Sequence, residues 1–351
     1  MILFIASKYV HAGIINSQLI KLAENILPIA ERKIYIYGSK NVIGKNLITT
    51  SDPLLKICFF NKFKEISRDL KNAQALYVRS YHYLFRILII KLIFNRKLRI
   101  VYDFRGLVFM ESWYRNKNII NSTFLYLVEF FAYSIANNVC AVSTVLAKEI
   151  NKNFYKRKID VYPCAIHTVF NKSNVKQNHK EINFVYVGSL SRWQQFDKTV
   201  KIYKYISDKI PSKLTVYTNE IEMAKEKLQY HNVKAIEVSQ LKQDEVLTRL
   251  VNFDFGFLIR ENHFINRVSS PVKFLEYVAS GVMPFITPFV GDYSNATKKY
   301  NLGYVLEGEY PDIEEIKKLF NDKNVKKRLF NFANQYKWEN IIKNHPLNNY
   351  Y

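Results

Sequence analysis

The stretch FDFGFLIRENHFINRVSSPVKFLEYVASGVMPFI, residues 253–286, decides the fold. Phe253 to Ile259 is a short aromatic and aliphatic run suited to a buried strand, Pro271 to Ala279 reads as a helix, and Met283 to Ile286 as the next strand. Strand, helix and strand in that order is the repeating unit of a helix-covered parallel sheet. Similar strand runs lie at Phe184 to Val187, Leu214 to Tyr217, Ala235 to Val238 and Tyr304 to Leu306. Helical segments fall between and after them at Asp197 to Ile206, Ile221 to Leu228, Asp244 to Val251, Ile313 to Phe320 and Lys326 to Trp338.

An earlier series runs through Ile2 to Ile5, Lys33 to Tyr37, Ala75 to Val78, Leu98 to Tyr102, Val139 to Val142 and Ile159 to Tyr162. The polar stretch FNKSNVKQNHK, residues 170–180, separates the two series and suits a linker. The expected class is α/β, with two parallel-sheet domains facing a central cleft. Residues 1–168 form the first domain, 169–180 the linker and 181–325 the second domain, while 326–351 form a helical segment packing back toward the first. A chain of 351 residues suits two cores better than one.

A hydrophobic share of 48% with ten Gly and nine Pro is globular. Cys58, Cys140 and Cys164 form no CxxC pair, which fits a reducing compartment. The opening MILFIASKYV lacks a basic leader and cleavage site and reads as a first strand. The oily run Leu84 to Phe94 is interrupted by Arg86 and Lys91 and is too short to span a bilayer. The formal charge is +22, and residues 1–168 carry 25 Lys/Arg against 10 Asp/Glu, or +15. Such a field attracts an anionic surface or substrate, although a Lys-rich composition also produces a merely solvated basic face.

Ser270 followed by Pro271 predicts an N-cap and first helical position. The helix amino end then offers free N–H groups to a phosphate, with Val272 among them and Lys273 and Glu276 on one face. Arg260 stands at the end of the preceding strand. In FVYVGSLSRW, residues 184–193, Gly188 permits close backbone approach, Ser189 follows it, and Arg192 offers a planar fork to phosphate. A capped surface helix and an ordinary strand-to-helix turn are the plainer readings of these two segments.

These segments make the sequence similar to the retaining family-four glycosyltransferases of GT-B architecture, and it resembles bacterial surface-polysaccharide assembly enzymes with a segment like SPxKxxEYxAxG. The resemblance implies two Rossmann-like domains and a nucleotide-sugar donor held mainly by the second. It places Glu276 on the ribose, and Ser270, Pro271, Val272, Lys273, Gly188, Ser189, Arg192 and Arg260 around the diphosphate, with Arg192 and Lys273 supporting catalysis. Two departures stand out. Val268 replaces the first Glu of the family's pair, and Gln194-Gln195 replace the usual Lys-Gly.

In the first half, VYDFRG, residues 101–106, sets Asp103 and Arg105 at the end of a strand. Asp103 there can orient or deprotonate an acceptor hydroxyl, or form a structural ion pair with Arg105. Arg79, His82 and His11 are acceptor-contact candidates, and the resemblance places Gly13 near donor phosphate. No HExxH, Walker or GxGxxG pattern and no Cys/His array occurs, so neither metal nor cofactor is expected. No specific nucleic-acid partner is expected either.

The basic and oily segment from Tyr81 to Arg99 suits either core packing or peripheral contact with an anionic membrane, Arg86, Lys91, Arg96, Lys97 or Arg99 meeting lipid phosphate. The resulting expectation is a cytoplasmic hexosyltransferase at the inner face of the cell membrane, acting on a saccharide or lipid-linked saccharide. A nucleotide-sugar epimerase and a non-enzymatic saccharide- or polyanion-binding protein are the alternatives.

Overall fold

Apolar runs sealed on both faces become the central strands of two all-parallel sheets. The computed structural model describes residues 1–6, 15–26, 31–37, 48–50, 52–60, 62–79, 84–169 and 180–350. Two units emerge: Met1–Pro163 with Trp338–Tyr351, and Cys164–Lys337. The segment 326–351 is therefore divided, with the helix Val325–Gln335 in the second unit and the helix Trp338–Ile341 in the first. The proposed linker falls almost wholly outside the described residues.

The first sheet has seven strands: β1 (Ile2–Ile5), β2 (Arg32–Tyr37), β3 (Leu55–Phe60), β4 (Ala75–Val78), β5 (Arg99–Phe104), β6 (Asn138–Ala141) and β7 (Asp160–Val161). Their order is β3-β2-β1-β4-β5-β6-β7. Every residue of β1 and β4 is buried, as expected for strands covered by helices on both faces.

The second sheet has six strands: β8 (Ile182–Val187), β9 (Ser212–Tyr217), β10 (Glu237–Ser239), β11 (Phe255–Leu258), β12 (Met283–Ile286) and β13 (Tyr304–Val305). They are ordered β10-β9-β8-β11-β12-β13. Phe184 stacks on Phe255 and Phe257 at 5.3 and 5.2 Å between ring centres, tying β8 to β11 through the core.

Both orders reverse direction once, between β1 and β4 and between β8 and β11. In open parallel sheets, ligands bind beyond the carboxyl ends of the strands at such a reversal. In the second unit those ends lead into Gly188 and Arg260. In the first, β4 leads into Arg79, and Asp103 lies on the next strand.

Candidate functional site

In the second unit, β8 runs into Gly188 at φ +150°, where a Cβ would collide with the ammonium of Lys273 and come within 2.7 Å of Gln194 Oε1. Glycine is thus required for the lysine to lie across the turn. The turn itself is held by Glu220, which accepts from the Leu190 N–H at 2.7 Å, and by Tyr186, whose hydroxyl donates to the Ser189 carbonyl at 2.6 Å.

Lys273 Nζ donates to Gln194 Oε1 at 2.8 Å, and the Gln194 amide nitrogen donates onward to Ser189 Oγ. Gln194 therefore positions the cation, a role that the sequence reading did not give it. Burial, with the nearby Arg260 adding to it, pushes the Lys273 ammonium down to about 7.

Arg260 is 8% exposed, and burial lowers its pKa. Its backbone is pinned by Thr287, whose hydroxyl accepts from the Arg260 N–H and donates to its carbonyl, each at 3.0 Å. Arg260 is thus drawn out of water beside the half-buried Lys273; the Glu276 carboxylate offsets only part of the effect on Lys273, and neither cation forms a direct ion pair with a carboxylate among the described residues. Such an arrangement costs free energy unless an anion completes it.

The helix carrying Lys273 and Glu276 is Val272–Ala279. Its placement is fixed by Tyr277, whose ring lies on Gly256 of β11 at 2.6 Å from where a Cβ would stand, and by Phe274, stacked on Tyr293 at 4.2 Å. The expected cap is corrected here. Pro271 occupies the N-cap position at ψ 124°, and no side chain caps the helix. The Ser270 hydroxyl instead accepts from the Cys164 N–H at 3.2 Å and pairs with the Tyr293 hydroxyl at 2.8 Å. Ser270 is a tie within the unit, and its loss as a cap leaves the first helical turn without a side-chain acceptor. Arg192 begins a short 3₁₀ turn, Arg192–Gln194, and is exposed, with no polar side-chain contact among the described residues.

In the first unit Asp103 is buried, with its side chain wholly enclosed. One carboxylate oxygen accepts from Arg105 Nε at 2.6 Å, from Arg79 Nε at 2.9 Å and from the Tyr77 hydroxyl. Burial pushes its pKa up, but Arg105 and Arg79 outweigh that effect and hold it below the ordinary carboxylate range. A carboxylate enclosed and stabilised in this way is a weak proton acceptor and a strong anchor for two arginines.

His345, from the returning C-terminal segment, packs its ring 5.7 Å from Tyr77 and is driven down to about 3 by burial. The other oxygen of Asp103 and Nε2 of His345 are both buried without a partner among the described residues. His11, Gly13 and His82 lie outside the described residues. Lys91, expected to meet lipid phosphate, instead donates to the Leu98 carbonyl and to Asn137 Oδ1 at 2.7 and 2.8 Å.

No protein-family model and no curated protein matches the sequence. Solved structures do match across nearly the whole chain. HepE from Anabaena, in complex with UDP, superposes with a TM-score of 0.70 over 97% of each chain at 12% identity. The chain has the GT-B fold. Sucrose-phosphate synthase from Thermosynechococcus elongatus shares this fold at a TM-score of 0.68 and 12% identity, covering 97% of this chain and 96% of the other. The lipopolysaccharide outer core galactosyltransferase WaaB shares it at 0.66 and 12%, covering 98% and 97%. A further structure of HepE, with the same GT-B fold, holds UDP and glucose. Among the described residues no group of three His, Cys, Asp or Glu side chains converges as a metal site, and no helix is long and apolar enough to cross a membrane.

Proposed function

We propose that the protein is a retaining glycosyltransferase that moves a hexosyl group from a nucleotide diphosphate sugar to a lipid-linked saccharide or growing surface polysaccharide. The observation that carries this reading is the pair of cations at the sheet reversal, buried Arg260 and half-buried Lys273, neither of which forms a direct ion pair with a carboxylate among the described residues. A diphosphate supplies the missing charge, and the uncapped helix at Val272 adds amide donors. The GT-B neighbours that hold UDP, or are named for sugar transfer, support the same class.

In this reading Gly188, Ser189 and Arg192 flank the diphosphate and Glu276 takes the ribose hydroxyls. Arg79 and Arg105, with His11 and His82, serve the acceptor, and Asp103 fixes both arginines. The anomeric C–O bond to phosphate breaks while the acceptor oxygen bonds to the same face of the carbon. The acceptor proton passes to a diphosphate oxygen, and the nucleoside diphosphate leaves. Arg260 and Lys273 stabilise the charge that grows on that leaving group. The +15 charge of residues 1–168 supports locating this reaction at the inner face of an anionic membrane, where a lipid-linked acceptor would lie.

A panel of nucleotide sugars and saccharide acceptors read by mass spectrometry tests the reading. Product that requires both donor and acceptor is expected. Conversion of donor alone indicates an epimerase, and tight binding without turnover indicates a binding protein. Glu276→Ala should raise the KM for the donor about tenfold or more, the scale of one charge-assisted hydrogen bond, with circular dichroism unchanged. An unaltered KM in the folded variant removes Glu276 from the ribose.

A further inference from the structure

The helix Ile119–Ile135 carries one charged residue in its 17, Glu129, and that residue points inward. Its carboxylate accepts from the Val108 and Phe109 N–H groups, each at 3.0 Å, capping the neighbouring helix Val108–Asn116. The opposite face is exposed and apolar: Ile120 is 80% exposed, Phe124 61% and Leu127 58%. A helix with its one charge buried and large apolar side chains on its outer flank belongs against a core or lipid, and this one, about 26 Å long, leaves that flank uncovered.

The surroundings are cationic. The Arg157 guanidinium donates to the carbonyls of Tyr133, Ala136 and Asn137 at 2.8, 3.1 and 3.0 Å, fastening the segment after β6 to the helix's carboxyl end. A shallow hollow there is lined by Lys148, Asn151, Lys152, Lys156 and Arg157. Lys148, Lys152 and Lys156 are exposed and form no ion pair among the described residues. Residues 105–158 hold eight Lys/Arg against three Asp/Glu, one of the three being the buried Glu129.

We infer that the outer face of the helix Ile119–Ile135 and the lysine hollow at its carboxyl end form the surface by which this protein lies on an anionic membrane. This deepens the membrane part of the proposed function and moves the main contact away from Tyr81 to Arg99. Ile120, Phe124 and Leu127 enter the acyl boundary, and the lysines meet headgroup phosphates. The helix Leu84–Ile93 joins the same layer. It and Ile119–Ile135 are successive crossovers from β4 to β5 to β6, so right-handed connections set both on one face of the sheet. Phe85 and Ile93, 69% and 68% exposed, extend the apolar area. Pairing with a second copy through this face would bury the lysines without supplying carboxylates from within it.

Flotation of the purified full chain with vesicles of pure phosphatidylcholine, and of phosphatidylcholine containing phosphatidylglycerol, tests the inference. Binding to the anionic vesicles is expected. It should fall about tenfold or more in the triple variant Ile120→Gln, Phe124→Gln, Leu127→Gln, by the apolar transfer each side chain loses. It should fall roughly fivefold per residue in Lys148→Glu, Lys152→Glu and Lys156→Glu, and weaken with salt. Circular dichroism and nucleotide binding without vesicles should be unchanged, because the substitutions sit on the exposed surface of the first unit. No wild-type flotation, flotation unaltered in both variants, or a dimer that vesicles do not dissociate would each overturn the surface. Loss of sugar transfer with flotation intact would overturn only the enzymatic reading.

Discussion

Lys273→Ala should lower turnover by about two to three orders of magnitude, the usual scale for removing a donor that meets transition-state charge. Gly188 leaves room for this ammonium, Gln194 orients it, and Arg260 stands beside it. Arg192→Ala should cost much less, because Arg192 is exposed and makes no polar side-chain contact among the described residues. Nucleotide affinity should also follow pH in a particular direction. Burial and Arg260 hold the unliganded ammonium at about 7, and a bound diphosphate stabilises its charged form. Binding above neutral pH therefore takes up a proton, and affinity should weaken as pH rises from 7 toward 9, by at most about tenfold per unit. Calorimetry with a nucleoside diphosphate at several pH values reads this slope, and Lys273→Ala should flatten it. A slope that persists in the variant would assign the proton to another group.

The strands were legible where both faces are covered, because such strands are nearly continuous apolar runs. β1, β4 and β12 coincide with their expected spans. β3 was missed although Ile57 to Phe60 is an apolar run; it is an edge strand in which only the two end residues are buried, and the basic residues Lys56, Lys62 and Lys64 around it gave it the look of a surface segment. The Ser270 cap failed for another reason. Local spacing favours a serine before proline at a helix start, but Cys164 and Tyr293, 106 and 23 residues away, compete for the hydroxyl and take it. Gln194 stood out only as a departure from a resembling motif. Its purpose depends on Lys273, 79 residues further on, and no local pattern carries that distance. The enclosure of Asp103 was equally hidden, since two of its neighbours, Tyr77 and His345, come from β4 and from the end of the chain.

Asp103→Asn should destabilise the first unit by about 3 kcal/mol, toward the lower end of what breaking a buried ion pair costs, because Arg105 retains some access to water. Its side chain is 27% exposed and that of Arg79 is 9%, so the second arginine bears most of the penalty. In a unit of this size the melting transition should fall by roughly 6–12 °C. The amide nearly preserves shape and can still accept one hydrogen bond, so the loss reports charge rather than packing. The pH dependence has a defined sign. A carboxylate whose folded pKa lies below its unfolded value stabilises the fold above the unfolded value and loses that contribution as pH falls through the folded one. Wild type and variant should therefore differ most near neutrality and converge as the solution is acidified below the ordinary carboxylate range. Nucleotide binding by the second unit should be unchanged at a temperature where both proteins are folded. If Asp103 served instead as the base that deprotonates the acceptor, the variant would lose turnover with little change in melting, and the acidic limb that the carboxylate sets in the pH–rate profile would disappear. Scanning calorimetry from pH 3 to 8 separates the cases, since an unchanged transition across that range would show that Asp103 does not hold Arg79 and Arg105 in place.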